Sequence, residues 1–294
     1  MKPLKAALVF IFLIFCGKSF SQDFDKTPTL SFFAGLINYQ GDLNPNSFSF
    51  SHSNFAKGII FRKPLNRWFS IRAGFNSGKI EAADAWNRDY LKSRNLSFTT
   101  AINEVYTGLE ISLLDISVKK ISPFLYGGIS IFHFNPWAKD NNGEKTYLKP
   151  LSTEGQGLAQ FPEQKPYNLT QLALAFGGGV KYAVNDALFI SIELSQRKSF
   201  TDYVDDVSSN YVDQNILYQE KGAKAVEMAY RGGLSPVGQP LYPPHGEQRG
   251  TPSEMDWYYF LGINLEIKLS AFSNVINFSK SVNSQRCPRK INNW

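Results

Sequence analysis

The sequence predicts an all-β fold: a transmembrane, up-and-down antiparallel β-barrel of about eight strands. Three observations predict it. Stretches with strict period-two alternation recur along the chain, the connections between them alternate long and short, and aromatic residues make up 15% of the sequence. Alternation gives a strand one apolar and one polar face. A barrel in lipid uses both, with lipid outside, a polar lumen inside and aromatic girdles at the interfaces.

The strongest alternation is the last, Met255 to Phe272. Trp257, Tyr259, Leu261, Ile263, Leu265, Ile267 and Leu269 share one face. Asp256, Tyr258, Phe260, Gly262, Asn264, Glu266, Lys268 and Ser270 share the other. A helix would scatter these apolar groups round its circumference. The run exceeds the usual strand of about five or six residues in a soluble sheet. Gly262, Leu265 and Ile267 also have the spacing of a barrel-assembly signal.

The first strand is expected over Thr29–Tyr39, with Phe33 and Ile37 interrupting its alternation. The second covers Phe55–Lys63, where Lys57 shares a face with Phe55, Ile59 and Phe61; either the strand is shorter than that or Lys57 snorkels to an interface. The third is Trp68–Lys79, the fourth Phe98–Leu114 and the fifth Pro123–Phe134. The sixth is Leu169–Ala183, the seventh Ala187–Phe200 and the eighth the stretch already described. Pro64–Arg67 and Asn185–Asp186 have turn composition. Segment 135–167 is read as aperiodic, 80–95 as a charged loop and 201–254 as the longest loop. Long connections follow strands one, three, five and seven; short ones follow two, four and six. A membrane barrel puts its short turns at one end and its long loops at the other.

The face opposite the apolar one carries Arg72, Glu104, Glu110, Lys181, Glu193, Arg197, Glu266 and Lys268. In lipid an Arg or Lys at mid-depth costs ~2–4 kcal/mol. Inside a small barrel such groups pair and fill the lumen, so no open pore is expected.

Residues 1–21 have the pattern of a secretory signal: Lys2 and Lys5, an apolar run from Ala6 to Phe15, and small residues Ser19 and Ser21 before a cleavage at Gln22. Phe15 is too bulky for lipoprotein processing at Cys16, and Cys287 is then alone, so no disulfide framework is expected. The predicted domains are the signal, a barrel over residues 22–272 with long outer loops, and a basic periplasmic tail over 273–294. The tail carries Lys280, Arg286, Arg289 and Lys290 and no acidic residue.

The net charge of +6 is dispersed, which argues against nucleic acid as a partner. His52, His133 and His245 lack metal-ligand spacing. His133 is the candidate base for a lipid-hydrolysing site, since a triad is spatial rather than sequential; its plainer reading is a polar residue at a strand end. The run Gly177–Gly178–Gly179 lacks a phosphate-loop pattern and reads as a bend or a close approach. The acidic stretch 201–208 lacks the spacing of a calcium loop and reads as a solvated or hydrogen-bonded turn. No cofactor, metal or small-molecule substrate is indicated.

Several segments resemble a Bacteroidetes outer-membrane barrel family that includes PorG, a component of the type IX secretion system. They are Tyr39–Leu43, Tyr126–Ile129 with Phe134–Pro136, Leu148–Gly157, Gly177–Tyr182, Thr201–Asp213 and Gln248–Gly250 before Asp256–Tyr258. The motif residues within them include Gly41, Asp42, Glu154, Gly155, Asp202, Tyr203, Asp205, Asp206 and Arg249. The resemblance implies a non-enzymatic outer-membrane subunit of secretion or gliding machinery. Its partners would be outer-membrane lipid and periplasmic ring subunits of PorK and PorN type, with Lys280, Arg286, Arg289 and Lys290 as candidate partner-binding residues. The chain departs from the family in the Pro-rich stretch 222–252 and in the tail. The alternatives are a surface-binding, adhesin-type barrel acting through loops 135–167 and 201–254, and a lipid-modifying enzyme.

Overall fold

The computed structural model describes residues 25–46, 50–87, 89–233 and 242–271. The expected signal, the basic tail and its Lys280, Arg286, Arg289 and Lys290 lie outside the described residues. A single 10-stranded sheet contains β1 (Thr29–Gln40), β2 (Asn54–Pro64), β3 (Phe69–Ala83), β4 (Ser97–Ser112), β5 (Ile121–His133), β6 (Trp137–Lys139), β7 (Lys145–Tyr147), β8 (Thr170–Ala183), β9 (Leu188–Ser199) and β10 (Trp257–Lys268). Setting aside the short β6–β7 hairpin, eight of these close a barrel. Each pairs antiparallel with its chain neighbour, and β10 returns to β1. Closure leaves no unpaired edge, the condition for sheet backbone in lipid.

Each strand resolves its alternation into an outside and an inside. On β5, Leu125, Ile129 and Ile131 are each more than half exposed, whereas Phe124, Tyr126 and Phe132 are buried. The same parity sends Phe33 and Ile37 of β1 inward, which explains its imperfect alternation. It turns Lys57 outward with Phe55, Ile59 and Phe61, three residues from the loop end of β2. The outward apolar run on β8, from Leu172 to Tyr182, spans ~25 Å at roughly 3.3 Å per residue and about 40° of tilt. That matches the height of a lipid-facing band.

The strand bounds agree with expectation to within a few residues, and the differences are physical. β3 runs on to Ala83, pairing with Ser97 of β4 beyond the apolar band, so the charged loop begins later than its composition suggests. β10 stops at Lys268, short of the expected Phe272. Segment 135–167 is not aperiodic: β6 and β7 form a hairpin that joins β4 through Thr99 and Trp137. The longest loop contains helices Gln214–Lys221 and Ala223–Ala229. The Asp213 carboxylate caps the first, accepting from the Asn215 and Ile216 amides.

Short connections (65–68, 113–120, 184–187) gather at one end of the barrel, and long ones (41–53, 84–96, 134–169, 200–256) at the other. Two of the turns share a device. The Asn66 side chain accepts from the Trp68 and Phe69 amides, and that of Asn185 from Ala187 and Leu188.

The outward face predicts a position-specific cost. Ile129→Arg, on the outer face midway along β5, lowers unfolding stability in lipid by ~2–4 kcal/mol, whereas Ile129→Leu leaves it nearly unchanged. Denaturant titration of the protein folded into phosphatidylcholine vesicles measures both.

Candidate functional site

Two buried polar assemblies occupy the barrel, one in the lumen and one in the cap formed by the long loops. Inward parity places Arg62, Arg72, Lys181 and Arg197 beside Glu104, Glu110, Glu193 and Glu266, all buried. Arg62 bonds Glu110 at 2.8 Å and lies 3.2 Å from Glu266. Arg72 bridges Glu110 at 3.2 Å and Glu193 at 2.9 Å, with its guanidinium 3.7 Å from the centre of the Tyr126 ring. Lys181 joins Glu266 at 3.0 Å and Glu110 at 3.4 Å. Nearer the loops, Arg197 grips both Glu104 oxygens at 2.7 and 2.9 Å, and Tyr258 donates to the same carboxylate at 2.9 Å. Four cations meet four anions, so charge cancels without solvent. Glycines give the interior rings room: a Cβ on Gly177 would sit 2.9 Å from the Tyr126 ring and one on Gly179 2.8 Å from the Phe124 ring, which is the close approach the glycine run suggests.

Arg62 is the lumen cation the sequence reading missed. Its signal was Lys57: five residues apart on one strand, the two must face opposite ways. Lys268 reaches only the turn-end mouth, where it pairs with Asp25 at 2.8 Å and is partly exposed. A cavity of about 420 Å³ opens there, lined by Asp25, Arg67, Asp115, Asp186 and Lys268, and the Arg62–Glu266–Lys181 pairs form its floor.

At the loop end the apolar core continues without a break from Phe132 and Phe260 in the barrel to Tyr167, Val204, Val207 and Met228 in the loops. The loops therefore form a cap packed into the mouth. Every motif residue singled out in the described chain lies in it. Glu154 is the hub: it receives Arg249 Nη1 at 2.8 Å, the Ser208 and Ser209 amides at 2.9 and 3.0 Å, and the Tyr203 hydroxyl at 3.2 Å. Arg249 also donates to the Asp206 carbonyl at 2.5 Å and the Ala229 carbonyl at 3.2 Å. Asp206 accepts from Thr153 at 2.5 Å and Tyr167 at 2.7 Å. Tyr203 stacks on Tyr167 with centroids 4.8 Å apart. Asp42 accepts from the Thr251 amide at 2.9 Å, and Asp205 from Tyr39 at 2.7 Å. Gly155 adopts a φ of +77°, where a side chain is strained, and a Cβ on Gly41 would collide with the Tyr39 hydroxyl and Asp256.

The sequence reading missed Asp84 and Arg94, which grip each other through two bonds of 2.7 and 2.9 Å. Arg94 also donates to the backbone carbonyls of Asp42 and Arg249, tying three loops together. Tyr39 and Asp256, at the starts of the segments Tyr39–Leu43 and Asp256–Tyr258, also belong to the cap: the Tyr39 hydroxyl lies 2.7 Å from Asp256. Stretch 201–208 is a hydrogen-bonded turn, and among the described residues no group of His, Cys, Asp and Glu is arranged to hold a metal ion. His133 faces outward with its Nδ1 3.1 Å from the Thr170 hydroxyl, and among the described residues no carboxylate or serine bonds it as a triad would. The cap also encloses a polar cavity of about 520 Å³, lined by Asp42, Arg94, Tyr211, Tyr230, Glu247 and Gln248.

Burial dominates the titration of the cap. Asp202 is pushed up to about 9 by burial and by the neighbouring Asp205 and Asp42 carboxyls. Burial raises Asp206 only to about 6, because Arg249, Thr153 and Tyr167 pull it back. Asp205 and Asp256 sit well above the usual carboxylate range, for burial and for their acidic neighbours.

A family model described as a domain of unknown function, DUF6089, matches residues 5–220. The chain belongs to the DUF6089 family. The DUF6089 match takes in β1 to β9, together with Glu154, Asp202 and Asp206 of the cap. No curated protein matches in sequence. Several solved structures are similar, among them these three. Neisserial surface protein A shares 9% identity, with 82% of this chain and 97% of that one covered and a TM-score of 0.41. Ail of Yersinia pestis, in complex with the heparin analogue sucrose octasulfate, shares 7%, over 83% and 100%, at 0.38. E. coli Outer Membrane Protein W shares 10%, over 83% and 99%, at 0.34.

The hub predicts its own failure. Glu154→Ala leaves Arg249 buried without its partner and destabilises the cap by ~3–5 kcal/mol. The barrel strands, held by other contacts, stay folded. Limited proteolysis then cuts within 200–256 faster by two orders of magnitude or more, and the barrel fragment survives.

Proposed function

We propose that this barrel resides in the outer membrane and is a non-enzymatic, partner-binding subunit of a secretion or gliding apparatus of type IX kind. One observation carries the non-transporting part of this reading. The lumen is filled by mutually paired charges and roofed by a packed cap, so the barrel offers surfaces at its two ends rather than a passage. The turn end is basic on balance: Lys26, Lys63, Arg67, Lys119, Lys120 and Lys268 stand there against Asp25, Asp115 and Asp186. The tail residues Lys280, Arg286, Arg289 and Lys290 add charge of the same sign. Such a surface suits acidic partners through steering and complementarity. The resemblance to the PorG-containing family supports periplasmic ring subunits of PorK and PorN type as those partners. The signal pattern of residues 1–21 supports export with cleavage before Gln22.

Mild cross-linking in native membranes, affinity recovery of the tagged barrel and mass spectrometry test this. Ring subunits are expected in the eluate, and deleting residues 273–294 reduces their recovery. A barrel recovered alone, with secretion unchanged by the deletion, would remove the proposed role. The cap cavity favours one second reading, a surface-binding barrel acting through its loops. In that case trimming the loops with protease abolishes surface binding and leaves ring recovery intact.

A further inference from the structure

The two buried assemblies differ in charge balance. In the lumen the arginines and the lysine match the glutamates. In the cap, buried Asp84, Glu154, Asp202, Asp205, Asp206 and Asp256 outnumber the buried Arg94 and Arg249, and half-buried Asp42 adds to the excess. Arg94 is committed to Asp84 and Arg249 to Glu154. An isolated ionised carboxylate removed from water neutralises instead of staying charged. The excess must therefore be met by something, and the hydrogen-bond geometry identifies it.

The Tyr39 hydroxyl lies 2.7 Å from Asp205 Oδ2 and 2.7 Å from Asp256 Oδ1. A phenol carries one proton and donates one hydrogen bond. Two contacts of this length require a second proton, held by one of the two carboxyls and donated to the phenol oxygen. The far oxygens of both carboxyls are already acceptors: Asp205 Oδ1 takes the Val207 amide at 2.9 Å, and Asp256 Oδ2 takes the Val204 amide at 2.8 Å. The proton is thus confined to the edge that faces Tyr39. Beside this triad Asp202 is 4% exposed; both its carboxyl oxygens are buried, no cation pairs with them, and only the Ser208 side chain comes near.

We infer that the loop cap is a proton-dependent latch. Asp202 and the Asp205–Tyr39–Asp256 triad hold protons in the closed cap and release them when it opens. The triad links β1, the 200–256 loop and the start of β10, so losing its proton places two facing carboxylates across the seam between loop and barrel. The titratable and charged groups facing Asp202 and the triad are Asp42 after β1, Arg94 of the 84–96 loop, and Glu154 and Tyr167 of the 134–169 loop. Arg94 pairs with Asp84 and Arg249 with Glu154, so neither is free to neutralise the triad. The sign follows from the raised affinity for protons in the closed state. Closure is strongest below the ordinary aspartate range near 4 and weakens as pH rises toward about 9, where Asp202 ionises even in the closed cap. Each proton released on opening steepens opening by about tenfold per pH unit within that window.

Infrared spectroscopy of the full chain in detergent, with a chelator present, tests this. The expected result is a protonated carboxylic-acid carbonyl band at pH 7 that fades as pH rises and is smaller in Asp202→Asn. Cleavage within 200–256, normalised to a peptide with the same cut site, rises with pH in parallel, and its slope falls in Asp202→Asn. Absence of that band in the wild type at pH 7 would overturn the latch, whether or not the variant folds. So would a band that appears only after chelation, because a bound cation would then hold the cluster together. Cleavage that is flat from pH 5 to 9 would also overturn it.

Discussion

The structure depends on how a barrel with an apolar outside disposes of charge inside. Outward residues meet lipid, so parity delivers every second residue to a narrow, dry interior. There an unpaired ion is costly, and removing one member of a buried pair costs ~3–5 kcal/mol. The lumen answers with matched charges: Arg72 alone touches two glutamates and two tyrosine rings. Those ions cannot be exchanged singly, which makes the network a check on register. A slip of one residue on β2 or β4 would carry Arg62 or Glu110 into lipid and break several pairs at once.

The cap is built on the other logic. Its carboxyls receive backbone amides and hydroxyls from segments far apart in the chain, with Glu154 and Arg249 at the crossing. Those bonds fix the turn at 203–209 and the position of the loop over the mouth. Because guanidinium groups are too few there, closure depends on protonation, and the balanced lumen beneath it does not share that dependence. One fold therefore holds a rigid interior and a loop region with a different response to the medium.

Period-two alternation made the eight strands legible, because each strand has only two faces and lipid demands that one be apolar. The end carrying the long loops followed from connection lengths alone. The β6–β7 hairpin was not legible, since its strands are three residues long and joined by Asp140, Asn141, Asn142, Gly143 and Glu144 with no alternation to read. The helices left a local mark in Asp213 and Gly222 at their boundaries, which the surrounding Pro- and Gly-rich composition obscured. For the cap, the motif segments held Glu154, Asp206 and Arg249, but their pairing spans about a hundred residues and comes only from folding. Tyr39 and Asp256 look like ordinary strand ends in sequence; their role appears once β1 and β10 are side by side.

The measurement that tests this account most directly is the conductance of the purified barrel in a planar lipid bilayer. A lumen closed by compensated charges and a seated cap predicts no steady ion current at neutral pH under an applied voltage. Stable, ohmic channel steps from the folded wild-type protein would show a continuous aqueous path and contradict the sealed interior on which the rest depends.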